Sequence, residues 1–169
     1  MALNYVIDAC SLINLNNADS LDAACQLRGC DLWVSPIVIG ECQPTCAATI
    51  MRLHNGGQLH VIDDNQIPSN IFLDLLFEYQ LGDGETEAVA AARHCGFGLC
   101  CDDRQARNLG KKILGTDKVV GSLHILKLCV EEDLFNCSRA SELLTSMQAA
   151  GGFLPSMSNS YFCGGVPGC

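Results

Sequence analysis

GLCCDDRQAR, residues 98–107, is the stretch on which the reading of this chain turns. An apolar run too short for a helix follows Gly98 and ends abruptly in Asp102-Asp103, after which Arg104–Ile113 has the composition of a helix. A buried strand, Gly98–Cys101, that hands two acids to a helix start is the simplest account. The same pattern opens the chain: in VIDACSLINL (6–15) a strand over Asn4–Ile7 ends at Asp8, and Ser11–Asn16 is helical.

Between these two segments the pattern alternates. Asp19–Gly29 reads as a helix, Asp31–Val34 as a strand, and Ser35-Pro36 as a helix start that carries VIGEC (38–42) and Glu41. Pro44 kinks or restarts that helix before Ala47–His54, and Gln58–Ile62 is a third strand. Pro68–Tyr79 is amphipathic, Gly82-Asp83-Gly84 a turn, and Glu85–Cys95 a helix of small residues. Val119-Val120 is a last short strand, followed by helices over Leu123–Glu132 and Ser138–Ala150, the latter capped by Ser138. Strand–helix alternation of this kind predicts an α/β fold of three layers, a central parallel sheet with helices on both faces. Residues 1–150 make one domain, and 151–169 a Gly- and Ser-rich tail ordered only in part.

In such sheets sites form beyond the carboxyl ends of the strands. That edge receives Asp8 and Asp102, with the start of the Glu85 helix beside them. Taken singly, each acid has an ordinary explanation. Asp8 can cap the next helix, and Glu85 in a first turn is favoured by the helix dipole. Glu41 is less ordinary, because it sits in an apolar helical stretch. Together they are costly: carboxylates ~4 Å apart repel by about 1 kcal/mol per pair in water and about 4 kcal/mol at an effective dielectric near 20. A divalent cation with oxygen preference, Mg²⁺ or Mn²⁺, removes that repulsion and supplies chemistry suited to phosphodiester hydrolysis.

The bulk composition agrees with a folded domain. The chain has 169 residues, 49% hydrophobic and 17% charged, with a net charge of −9. That charge argues against nucleic-acid binding by a wholly basic face. Six of its ten Lys/Arg, however, fall between Arg104 and Lys127, as either a phosphate-binding rim or a solvated helix face. Its longest apolar stretches are shorter than a membrane span, and Met1–Cys10 has no cationic leader, so the expected location is the cytoplasm, off the membrane. Twelve cysteines without a CxxC are expected to be reduced and to behave as small hydrophobes; Cys42–Cys46, His94–Cys95 and Cys163–Cys169 are the only loose zinc candidates. No G-x-G-x-x-G, G-x-x-x-x-G-K-[ST] or G-x-S-x-G occurs. A phospho-receiver would place its acidic pair early, and here the pair comes late.

The ordered segments VIDACSLINL, GEC, LGDGETEAVAAA (81–92), CDDRQAR and VVGSLHILKL (119–128) resemble the successive motifs of PIN-domain proteins over residues 4–135. The nearest likeness is to a subgroup with GExEA and D-[DE]-R motifs, many of them toxin-type ribonucleases. The resemblance implies a metal-dependent endoribonuclease, with catalytic and metal-binding roles at Asp8, Glu41, Glu85 and Asp102 and with Asp103 as an adjunct ligand. It implies weaker substrate contacts at Ser11, Arg104, Arg107 and Ser122, an RNA substrate, an antitoxin partner and a homodimer, to which a mean hydropathy of +0.21 adds. Cys10 stands where the family commonly has Ser or Thr, and His124 where the subgroup often has Gly. These departures leave open a PIN-like module that binds RNA or protein without cutting.

Overall fold

The computed structural model describes residues 3–164; residues 165–169, with Cys169 and the end of the tail, lie outside the described residues. Five strands form one parallel sheet: β1 (Leu3–Ile7), β2 (Cys30–Val34), β3 (His60–Val61), β4 (Gly98–Cys100) and β5 (Val119–Val120), in the order β3-β2-β1-β4-β5. The chain moves outward from β1 to β3, then crosses back to β4 and β5. The topological switch point therefore lies between β1 and β4, paired Tyr5 with Gly98 and Ile7 with Cys100. Parallel strands need cover on both faces, and Val6, Ile7, Leu99 and Cys100 are accordingly buried.

Ten helices give that cover: α1 (Ala9–Asn17), α2 (Leu21–Ala24), α3 (Pro36–Glu41), α4 (Pro44–Asn55), α5 (Ser69–Tyr79), α6 (Asp83–Cys95), α7 (Arg104–Leu114), α8 (Ser122–Glu131), α9 (Cys137–Ala149) and α10 (Asn159–Cys163) among the described residues. α6 packs on β1 and β4, and α7 on β4 and β5; α1 gathers α2, α8 and α9. The run Ala88–Ala92 is wholly buried. Small side chains there let α6 approach the sheet closely, where a helix with a polar stripe would strand its charges.

The boundaries differ from expectation at instructive places. The helix expected over Asp19–Gly29 shrinks to α2, and beyond it Glu132, just past the end of α8, accepts from the Arg28 and Gly29 amides (2.7 and 3.2 Å), so these two amides are satisfied outside a helix. The expected turn at 82–84 is the start of α6, with Gly82 as its cap. Asn136, not Ser138, caps α9: its side chain accepts from the Arg139 amide. The cysteines are not all free. Cys137 and Cys163 form a disulfide joining α9 to α10, against the expectation of a fully reduced set.

The segment after α9 folds back onto the helices. Leu154 and Tyr161 pack against the core and Phe162 is fully buried, with α10 lying on α8 and α9.

Candidate active site

Asp8 ends β1 and caps α1. Its Oδ1 accepts the Ser11 amide (2.8 Å) and its Oδ2 accepts the Cys101 thiol (2.9 Å). Only 1% of the residue is exposed. Burial, with a smaller contribution from the nearby Asp102 charge, pushes its carboxyl up to about 6, against the pull of these hydrogen bonds. Asp102, one residue beyond Cys101 at the end of β4, accepts from Asn14 Nδ2 (2.8 Å) on one oxygen and from the Ser122 amide (2.9 Å) on the other. Three elements thus fix Asp102: its own strand, α1 and the start of α8. Gly121 has no side chain to spare there, since a Cβ would stand 2.7 Å from Asp102 Oδ1 and 2.5 Å from an Arg107 nitrogen.

Glu41 and Glu85 reach the same edge from α3 and α6. Glu41 is exposed at the lip, not facing the core, and accepts the Gly84 amide (3.0 Å). A Cβ on Gly84 would overlap the Glu41 carboxylate, so this contact requires glycine. Glu85 is half-buried and accepts the Gly82 amide (3.2 Å) in a capping box. Its pKa is raised, first by burial and then by Asp103 and Glu41.

Sequence reasoning missed three participants. Glu87, two residues past Glu85, is buried on α6 and accepts the Ile37 amide (2.8 Å) at the start of α3. Its pKa is raised by burial, and the neighbouring Ser35 and backbone amides oppose that shift. α3 and α6 are therefore clamped reciprocally, Glu87 holding the start of α3 while Glu41 at the end of α3 holds the start of α6. Asn14 and the Cys101 thiol are the other two. The available signals were an acid at the head of the small-residue run Ala88–Ala92 and an Asn on the apolar side of α1.

Asp103 points elsewhere: its Oδ1 accepts the Gln105 and Ala106 amides (2.7 and 2.8 Å) and so caps α7. Ser11 and Ser122 are fully buried, and neither hydroxyl has a hydrogen-bond partner among the described residues; Ser11 nonetheless lies near enough to Asp8 to lower its pKa. Cys10 stands among the acids. Burial first, then Asp8, Glu85, Asp103 and Asp102, push its thiol up to about 12.

The six basic residues of 104–127 separate in space. Arg104, Arg107 and Lys111 line a groove of about 520 Å³ that also contains Asp102 and His124. Arg107 is anchored by a hydrogen bond to the Cys101 carbonyl (3.1 Å). Burial lowers the His124 pKa, so its imidazole is neutral near pH 7. Lys112 bonds the Tyr79 hydroxyl, Lys118 the Gly96 carbonyl, and Lys127 pairs with Glu131. A second groove of about 590 Å³, on the other side of Asp102 and Arg104, is bordered by Cys10, Asn14 and Asn17.

The donors at this edge fit a hard divalent cation in kind. They are carboxylate oxygens in excess of nearby positive charge, with two buried hydroxyls, Ser11 and Ser122, left without partners among the described residues. As the side chains stand, no three His, Cys, Asp or Glu among the described residues enclose an ion, the Cys42–Cys46 spacing included.

The comparisons with known proteins bear on the family and the fold. A family model described as a PIN domain matches residues 4–159. No curated protein matches. The crystal structure of PAE2754 from Pyrobaculum aerophilum matches with a TM-score of 0.54 at 19% identity, covering 77% of this chain and 98% of that one, a likeness of fold. From the family match over nearly the whole described chain, this chain belongs to the PIN domain family, whose members are generally nucleases.

Proposed function

We propose that this chain is an endoribonuclease that hydrolyses RNA phosphodiester bonds with Mg²⁺ or Mn²⁺. The observation that carries the reading is the convergence of Asp8 and Asp102 at the β1/β4 switch point, with Glu41 and Glu85 at the lip and cationic side chains in the adjoining groove. Asp8 and Asp102 would hold the ion, with Glu41 and Glu85 near it and Asp103 engaged as a cap. A bound divalent ion supplies a water of lowered pKa and charge stabilisation at the phosphate. The chain's own part is to fix Asp102 through Asn14 and Ser122, to keep Asp8 dry, and to offer Arg104, Arg107 and Lys111 to the flanking phosphates. Incubation with single-stranded RNA and Mn²⁺ should give internal cleavage, abolished by chelator and reduced at least about 100-fold in Asp8→Asn or Asp102→Asn. Cleavage that survives both treatments would overturn the proposal.

A narrower form of the proposal is a toxin paired with an antitoxin, acting in the cytoplasm. Induced expression should then arrest growth, and Asp8→Asn should relieve the arrest. A second reading, a module that binds without cutting, is favoured by the net charge of −9 and by Cys10 where the family commonly has a hydroxyl. Calorimetric titration showing no Mn²⁺ uptake at millimolar metal would select it. A homodimer is supported by Leu73 and Phe77, exposed one turn apart on α5. Sedimentation should give twice the chain mass for the native chain and a single chain mass for Phe77→Glu.

A further inference from the structure

The proposed cleavage site is flanked by a residue that no part of the hydrolytic chemistry uses. After α9 the chain turns at Gly151, whose φ of +97° lies in the left-handed region, and then runs across α1. Gly152 passes so close that a Cβ would stand 2.6 Å from Asn14 Oδ1 and 2.8 Å from the Met147 carbonyl. Its amide donates to Met147 (2.9 Å), the Leu154 amide donates to Gly152 (3.0 Å), and Gln148 Nε2 donates to the Leu154 carbonyl (3.1 Å). The backbone on both sides of Phe153 is therefore pinned. Leu154 turns inward to the core, yet Phe153 is 101% exposed.

That ring borders both grooves, and both grooves also contain Asp102 and Arg104. Asn14, which Gly152 packs against, is the residue that donates to Asp102. An aromatic face held open on a fixed turn is thus joined through one side chain to a proposed metal ligand. Arg104, Arg107 and Lys111 lie on one side of it. Cations that can track a phosphate backbone beside an aromatic face that can take a base are the two elements of single-strand recognition.

We infer that Phe153 is a base-stacking platform that seats one unpaired nucleotide beside the cleaved phosphate and so selects single-stranded over double-stranded RNA. The inference takes its substrate from the ribonuclease reading and adds the residue that discriminates strand state. A paired base has its faces covered by its neighbours and cannot use the ring, whereas an unpaired base of any sequence can.

The test uses the full chain with a short fluorescein-labelled single-stranded RNA and a fully paired duplex of the same sequence. Anisotropy in chelator reads binding, and initial rates in Mn²⁺ read cleavage. Phe153→Ala should weaken single-strand binding about 10-fold and raise KM by a similar factor with kcat unchanged, while Phe153→Tyr restores both. Duplex binding should be weak and indifferent to either substitution. Unchanged single-strand affinity in Phe153→Ala, no rescue by Tyr, equal losses on duplex and single strand, or no strand bound by the native chain would each overturn the inference. The two readings separate cleanly. Phe153-dependent binding without cleavage in Mn²⁺ removes the ribonuclease reading and leaves the platform, and cleavage indifferent to Phe153 does the reverse.

Discussion

Asp8 shows what the site costs the fold. An acid whose carboxyl is raised from 3.8 to about 6 holds its proton more tightly in the folded than in the unfolded chain. Stability therefore falls as pH rises from below 3.8 through 6, by up to about 3 kcal/mol for a shift of this size. Asn cannot ionise and can still cap α1. In the absence of divalent metal, Asp8→Asn should be more stable than the native chain near pH 8, by up to about that amount, and the advantage should vanish below about pH 4. Denaturant unfolding across the pH range measures it. An advantage independent of pH would mean that the Asp8 charge is not the cause. Mn²⁺ should stabilise the native chain more than the variant, because bound ligand adds to stability only where it binds.

At the scale of elements, the α3–α6 clamp makes a glycine functional. Gly84 lies in the first turn of α6, where Ala is a better helix former by about 1 kcal/mol. Its Cβ would take the place of the Glu41 carboxylate, the free end of a flexible side chain that can swing away. Gly84→Ala should therefore leave thermal stability within about 1 kcal/mol of the native chain while cleavage falls about 10-fold. Equal activity would show that the Glu41–Gly84 contact does not position Glu41. The sequence suggests a turn at 82–84 because glycine and aspartate cluster there; the helix wins because Glu85 and the returning Glu41 carboxylate both satisfy amides at its start.

For the molecule as a whole, the closing segment is tied down by Phe162 in the core and by the Cys137–Cys163 disulfide, 26 residues apart. A cross-link of that span contributes about 3 kcal/mol by restricting the unfolded chain. Cys163→Ser should lower stability by up to that amount, and reductant should lower the melting temperature of the native chain but not of the variant. An identical response of the two proteins to reductant would show that the cross-link does not contribute. No helix among the described residues is long and apolar enough to cross a membrane.

Strand ends carrying Asp8 and Asp102, the parallel sheet and the family were legible along the chain, because short apolar runs ending in an acid are local patterns set by burial and backbone geometry. The partners of the acids were not. Asn14 meets Asp102 across 88 residues and Glu41 meets Gly84 across 43, and no local rule couples such positions. Asp102 and Asp103 are chemically identical neighbours; one is held by Asn14 and the Ser122 amide, and the other caps α7. Phe153 is one of three aromatics in a Gly- and Ser-rich tail until Gly152 is seen to press on Asn14. Local sequence chose the elements and their acids, and long-range packing assigned each side chain its partner.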